Sequence, residues 1–336
     1  MTNRVFFLGA GASHASEFRL PLMRGFFDEE YLEKYPSLKT LIRKLFSKKS
    51  FAEVNMESFI THLEMSLEGF GASWNRPTGA LFEAQKEFTS YVVFRLSKPV
   101  GSGVCQKHLK LFEKKDEKDT ILSLNYDSIV ENVLFKLSPK RDNGTMVGET
   151  FMERSYGLLS ESSFWDGTPA SLYQQHQKLG YFISLHGSIN WVYCPNEGCH
   201  LHGFFFPNMI DHPTYHYLPG DPCQICGSGL ELVIVPPTMM KAFKRFPKFG
   251  FLWNLAFRKL VEAAELVMIG MSLPDSDYYL KWLIKEAMLN KRDPPQLTIV
   301  NPNQDAIERT KALIGVETPR IFSDLDEFIT NGLPST

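Results

Sequence analysis

The chain has no run near the roughly 20 apolar residues of a membrane span, no basic block, no internal repeat and no low-complexity tract. Each absence removes a class of protein. Lys plus Arg is 36 against 38 for Asp plus Glu, a net charge of −2. No positive surface strong enough to attract a phosphate backbone is expected, so nucleic-acid binding is not advertised. Pairs such as Lys48-Lys49 and Lys114-Lys115 read as solvated helix faces. The N-terminus runs straight into an apolar segment, without the basic and apolar regions of a signal peptide, and a cytoplasmic protein with no membrane association is expected. Cysteine is scarce, with 5 in 336 residues, and not scattered. Cys105 stands alone and reads as a buried small hydrophobe. Cys194, Cys199, Cys223 and Cys226 form two close pairs, which in a reducing compartment suggest metal rather than disulfides.

What is present is an ordinary globular composition, 43% hydrophobic and 22% charged, long enough for one large α/β domain with insertions or for two domains. Val5-Phe6-Phe7-Leu8 reads as a buried strand, and Gly9-Ala10-Gly11-Ala12-Ser13 follows it with almost no side chains. Such a turn lets backbone N–H groups approach a phosphate. It lacks the third glycine of the dinucleotide fingerprint, and a tight strand–helix turn without a ligand would use much the same residues.

Residues 20–112 carry apolar side chains at helical spacing, as in Leu38, Leu41, Ile42, Leu45 and in Met56, Phe59, Ile60, Leu63, Leu67. They read as a helical insertion broken by a loop at 69–79. Four further short apolar runs read as strands: Thr120–Leu124, Tyr181–Leu185, Leu266–Ile269 and Leu297–Val300. Leu232–Val235 is expected to re-enter the same sheet, and residues 138–178 read as a long excursion. Alternation with helices predicts a doubly wound, Rossmann-like parallel sheet covered on both faces. The sheet domain is expected from 1–19, 113–190 and 233–336, with a small zinc-ribbon module at 191–232.

Ligands of such sheets bind outside the carboxyl ends of the strands. The five strand ends carry Gly9–Ser13, Asn125 with Asp127, His186, Gly270 with Ser272, and Asn301. Together they predict one crevice lined by an anion loop, an amide, a carboxylate and an imidazole. Asn125 and Asp127 also suit the cap of the helix that follows, and Ser272 and Asn301 suit turns.

In order and spacing, Gly9-Ala10-Gly11-Ala12-Ser13, Leu124-Asn125-Tyr126-Asp127, Leu185-His186-Gly187-Ser188, the four cysteines, Gly270-Met271-Ser272-Leu273 and Val300-Asn301-Pro302 resemble the sirtuin superfamily. The resemblance covers nearly all the sheet-forming parts and not the helical stretch. It is nearest to divergent prokaryotic members that consume NAD in anti-phage defence. It implies that Gly9, Ala10, Gly11, Ala12 and Ser13 cradle the pyrophosphate of NAD, and that Gly270, Ser272 and Asn301 serve the adenosine half, with Phe322-Ser323-Asp324 near the adenine. Asn125 would place the attacking water, Asp127 would shape the nicotinamide pocket, and His186 would act as general base. A companion protein such as an ATPase, or assembly into a homo-oligomer, is a further implication.

The chain departs from deacylating sirtuins after the glycine loop, where Ser16-Glu17-Phe18-Arg19-Leu20-Pro21 replaces a Pro-Asp-Phe-Arg run. The acyl-lysine groove motif is also missing at Val235-Pro236-Pro237-Thr238-Met239. Both departures favour water as nucleophile, hence NAD hydrolysis to nicotinamide and ADP-ribose. An NAD-dependent deacylase and a non-catalytic NAD or ADP-ribose sensor are the alternatives. For the cysteines, Cys194-x4-Cys199 and Cys223-x2-Cys226 offer four thiolates to a structural Zn2+, with His200 and His202 as nearby substitutes. Four reduced cysteines packing a small β-module is the other reading.

Overall fold

A computed structural model of the chain describes residues 3–67, 78–97, 103–115, 118–137, 181–200, 202, 205–207, 219–235, 248–274 and 277–333. The expected excursion at 138–178, nearly all of the loop at 69–79 and the run 236–239 lie outside the described residues.

Six strands form one parallel sheet: β1 (Arg4–Leu8), β2 (Thr120–Ser123), β3 (Tyr181–Ser184), β7 (Glu265–Ile269), β8 (Gln296–Val300) and β9 (Arg320–Phe322), in the order β3-β2-β1-β7-β8-β9. This is the strand order of doubly wound dinucleotide folds, and the order reverses between β1 and β7. The expected fold class is therefore what the chain adopts. Val5, Phe6, Phe7 and Leu8 are each at most 2% exposed. Burial on both faces explains the unbroken apolar run, and each such side chain contributes roughly 1.5–3 kcal/mol. At the opposite end of the strand Arg4 clamps β1 to β2. Its Nε and Nη2 donate to the two oxygens of the buried Asp119, at 3.1 and 2.6 Å.

Register fixes the functional edge. Leu8 lies level with Ser123 and Ile269, Ser123 with Ser184, and Ile269 with Val300. The residues just beyond those positions, Gly9, Asn125, His186, Gly270 and Asn301, consequently share one edge of the sheet.

Two strand expectations need correction. Glu231–Ile234 (β6) does not re-enter the parallel sheet but pairs antiparallel with β4 (Gly187–Tyr193), which also pairs with β5 (Phe205–Pro207). The cause is Gly187. Its φ of +84° turns the chain off the end of β3, and a Cβ there would stand 2.0 Å from the Val233 carbonyl oxygen. The sixth strand of the main sheet is instead β9, paired with β8, a stretch that the sequence reading did not assign to a strand.

Helices α1 (Ala10–His14), α2 (Glu29–Leu32), α3 (Pro36–Leu45), α4 (Met56–Leu67), α5 (Thr78–Leu96) and α6 (Gln106–Phe112) lie between β1 and β2 in the chain. The stretch from Leu20 to Leu96 builds its own core around Phe26, Phe27, Phe59, Phe88 and Tyr91. Burial pushes the Tyr91 phenol up to about 12; it donates to the Phe26 carbonyl and accepts from the Asp28 N–H. This core also takes in Tyr126, Ile129 and Ile189, which form the back of the crevice. Cys105 belongs to it but is more than a small hydrophobe. Its thiol donates to Glu17 at 2.7 Å and lies 3.1 Å from His108 Nδ1. Glu17 also accepts from the Lys107 N–H. Glu17, in the segment after the glycine loop, is thus strapped to α6. Further described helices include α7 (Ile129–Leu137), α8 (Lys248–Glu262), α9 (Tyr278–Leu289), α10 (Gln304–Ile314) and the short α11 (Leu325–Glu327). No described helix is long and apolar enough to cross a membrane.

Candidate active site

The glycine loop owes its composition first to packing. A Cβ on Gly9 would lie 2.6 Å from the Gly270 carbonyl oxygen, and one on Gly11 would lie 2.6 Å from Gly270 Cα. Gly270 itself has φ +64°, and a Cβ on it would meet the Ala12 nitrogen at 2.2 Å. The two strand ends therefore pass backbone against backbone at the point where the sheet order reverses. Gly9, Gly11 and Ala12 donate their N–H groups to Ile269, Gly270 and Gly9 carbonyls, each at 2.9 Å. What this leaves for a ligand is the rim of the loop at Ala10 and Gly11, both half-buried.

The missing third glycine has a physical counterpart in Ser13. Its buried hydroxyl donates to Asp127 Oδ2 at 2.6 Å and accepts from Asn125 Nδ2 at 2.9 Å. Asn125 Nδ2 also donates to the Gly9 carbonyl at 3.0 Å. One amide thus joins β1's loop to β2's loop and is held at a fixed tilt. Asp127 divides its two oxygens, with Oδ1 accepting from the Ile129 N–H at the start of α7 and Oδ2 from Ser13. The bond to Ile129 is the capping expected of Asp127, while the bond to Ser13 ties it to the glycine loop. Burial raises its carboxyl above the ordinary range, with the Ser13 and Ile129 hydrogen bonds opposing the rise.

His186 is buried, its ring lying between those of Tyr126 (centroids 6.3 Å apart) and Trp253 (6.5 Å). Trp253 Nε1 donates to the Leu185 carbonyl, and Tyr126 donates to the Val235 carbonyl at 2.7 Å. These bonds fix the two rings that hold the imidazole. Asp277 Oδ2 lies 4.0 Å from His186 Nε2. Behind the motif, Ser188 donates to Glu131 Oε1 at 2.9 Å, and burial pushes the Glu131 carboxyl up to about 8. Trp253, Asp277 and Glu131 were not singled out from the sequence, and Ser188 only as the end of its motif; an acid beside an apolar helix start reads as an ordinary cap or surface charge.

At the far end of the edge, Asn301 is committed to the fold. Its Nδ2 donates to the Met271 carbonyl at 2.6 Å and its Oδ1 accepts from the Asn303 N–H at 3.0 Å. Ser272 is exposed, and its carbonyl accepts from Arg309 Nε. The structure thus brings Gly9–Ser13, Asn125, Asp127, His186 and Gly270 to one crevice, while Asn301 acts there as a tie between loops.

The four cysteine thiols gather apart from the crevice, all within 4.8 Å of one another. Cys194 and Cys226 sulfurs are 3.5 Å apart, and those of Cys199 and Cys223 are 3.8 Å apart. Zinc–sulfur bonds of about 2.3 Å in a tetrahedron put sulfurs about 3.8 Å apart. The donor set therefore fits structural zinc, with Cys194, Cys199, Cys223 and Cys226 as the ligands. His202 is spent on the Cys194 carbonyl. The purified protein is expected to carry about one zinc per chain. Cys223→Ser should lose it and lower the melting temperature; metal-free protein of unchanged melting temperature would contradict the assignment.

No family model and no curated protein matches the chain. Solved structures of Sir2 homologues are similar to it. A mutant Sir2 homologue complexed with ADP-ribose is 14% identical over 98% of this chain and 89% of its own, with a TM-score of 0.47. A triple mutant complexed with 2′-O-acetyl ADP-ribose is 15% identical over 97% and 88%, with a TM-score of 0.48. A Sir2 mutant with a p53 peptide and NAD is 13% identical over 97% and 90%, with a TM-score of 0.40.

Proposed function

We propose that the chain binds NAD in this crevice and hydrolyses its nicotinamide–ribose bond. The observation that carries the reading is the hydrogen-bonded unit Gly9–Ser13–Asn125–Asp127 on the same sheet edge as a buried His186. Cleavage builds positive charge on the ribose. The site answers with Asp127 and with amide and hydroxyl groups that orient a sugar without competing as bases. Water oxygen bonds to the anomeric carbon as its bond to nicotinamide breaks. The bonding pair leaves with the nicotinamide nitrogen, and His186 takes the water's proton. The products are nicotinamide and ADP-ribose.

In the same reading, residues 1–19, 113–190 and 233–336 form the NAD-binding part, residues 20–112 a helical insertion, and 191–232 a zinc module. In support, the motif order resembles that of prokaryotic NAD-consuming defence proteins. The activity then serves regulated NAD depletion, released by a companion protein such as an ATPase or by homo-oligomer assembly.

The test is incubation of the protein with NAD. Nicotinamide and ADP-ribose in equal amounts, without an acyl peptide, support hydrolysis. Release that needs an acyl-lysine peptide replaces this reading with a deacylase. Binding of NAD without release, with the protein alone and in its assembled form, replaces it with a sensor.

A further inference from the structure

Asp277 stands at the position that precedes α9, where an aspartate ordinarily accepts from the backbone N–H groups of the first turn. Here it makes no such bond. The contrast within the same chain is plain. Asp28 accepts from the Glu30 and Tyr31 N–H groups, Asn303 from Ala306, and Asp324 from Glu327. A side-chain cap stabilises a helix start, so a capping-type residue that forgoes it has its carboxylate engaged elsewhere. Asp277 is 6% exposed, and its Oδ2 is turned toward His186 Nε2 at 4.0 Å.

That distance is too long for a direct hydrogen bond and suits a single oxygen placed between the two groups. Hydrogen bonds of about 2.8 Å to each side subtend about 90° at that oxygen, close to what a water molecule offers with one proton donated to each partner. The Tyr126 and Trp253 rings neighbour the imidazole, with centroids 6.3 and 6.5 Å away. Groups that face His186 among the described residues include Tyr126 from the β2–α7 loop, Trp253 from α8 and Asp277 from the start of α9. The Tyr126 phenol is held well above its ordinary range by burial, then by the negative charges of Asp277, Glu64 and Glu57. Tyr126 is therefore neutral and brings no charge of its own.

We propose that Asp277 and His186 together seat the nucleophilic water, Asp277 accepting one proton in a hydrogen bond while His186 removes the other. The inference rests on the hydrolytic reading above. The water's oxygen bonds to the anomeric carbon, and the C–N bond to nicotinamide breaks with its electron pair leaving on nitrogen. One proton passes to His186, and Asp277 stays ionised and opposes the positive charges on the imidazolium and the ribose.

The experiment compares full-length wild type with Asp277→Asn and Asp277→Ala. Asp277→Asn is expected to bind NAD within about threefold of wild type and to lose about 100-fold in kcat. With methanol present, Asp277→Ala should form more methyl ADP-ribose relative to ADP-ribose than wild type, since the seat no longer selects water. A merely structural role would lower the folded fraction without moving that ratio. Proton NMR of the His186 ring should show its titration midpoint falling in Asp277→Asn, because a neighbouring anion is lost. Unchanged kcat in a wild-type enzyme that does release nicotinamide would overturn the proposal, as would an unmoved ratio or an unmoved midpoint. If wild type releases no nicotinamide, the hydrolytic reading fails by itself, and the proposal of a seated nucleophile is overturned with it even where the NMR midpoint confirms the pairing.

Discussion

Asn125→Ala is expected to fold, to bind NAD within about tenfold of wild type, and to lose about 10²–10³ in kcat. The fold survives because the glycine loop is held by the backbone of Gly270, and Ser13 keeps its bond to Asp127. What disappears is the amide that spans Gly9 and Ser13. Without it the carbonyl of Gly9 loses a donor, and the edge of the crevice no longer has a fixed dipole to hold sugar and water. Asn125→Asp separates donor from shape. It keeps the volume but replaces an N–H donor with an acceptor beside the Asp127 carboxylate, so it should be at least as impaired. His186→Ala should lose turnover to a similar degree, since no other imidazole is brought to this part of the crevice among the described residues. Nicotinamide release followed alongside NAD binding checks all three. Full turnover in a folded Asn125→Ala protein would place the chemistry elsewhere.

The sheet was legible because its strands are short, apolar in their middles on both faces and followed closely by Gly, Asn or His, a pattern that two-sided burial explains. β9 was not legible. Arg320 and Ile321 are exposed, and three residues of which only Phe322 is buried carry no pattern. β6 was misplaced for a different reason. Its apolar content suits either sheet, and the choice is made by the turn at Gly187, whose positive φ cannot be read from a His-Gly-Ser sequence. The glycines of the loop were legible as a close approach but not as an approach to Gly270, because the partner lies more than 250 positions away. Asp277 and Glu131 were hidden by their own plausibility. Each sits where an acid at a helix start needs no special explanation, and only tertiary contacts show Asp277 turned from its cap and Glu131 buried against Ser188.

Glu131 gives the largest expected effect on stability. Burial and, less strongly, the neighbouring Asp127 push its carboxyl from an ordinary 4.5 up to about 8, against the pull of the Ser188 hydrogen bond. The folded chain therefore holds a proton that the unfolded chain has released between those values, and stability falls as pH rises through that window. His108 works in the opposite direction. Full burial lowers it from 6.5 to about 4, so the unfolded chain binds the extra proton and stability rises with pH between those values. The two slopes oppose each other from about 4.5 to 6.5. Above 6.5 His108 is neutral in both states, while the zinc-site thiols, Cys226 among them, add a slope of their own, so the Glu131 contribution is read as the difference between wild type and Glu131→Gln. Glu131→Gln cannot ionise and can still accept from Ser188. Relative to it, wild type should lose on the order of 2 kcal/mol of unfolding free energy between pH 6.5 and 8. Urea unfolding at half-unit pH steps reads both curves, and parallel curves for the two proteins would show that Glu131 is already ionised in the folded chain. The buried acid would then contribute to the negative potential behind Asp127, where the ribose cation is expected to form.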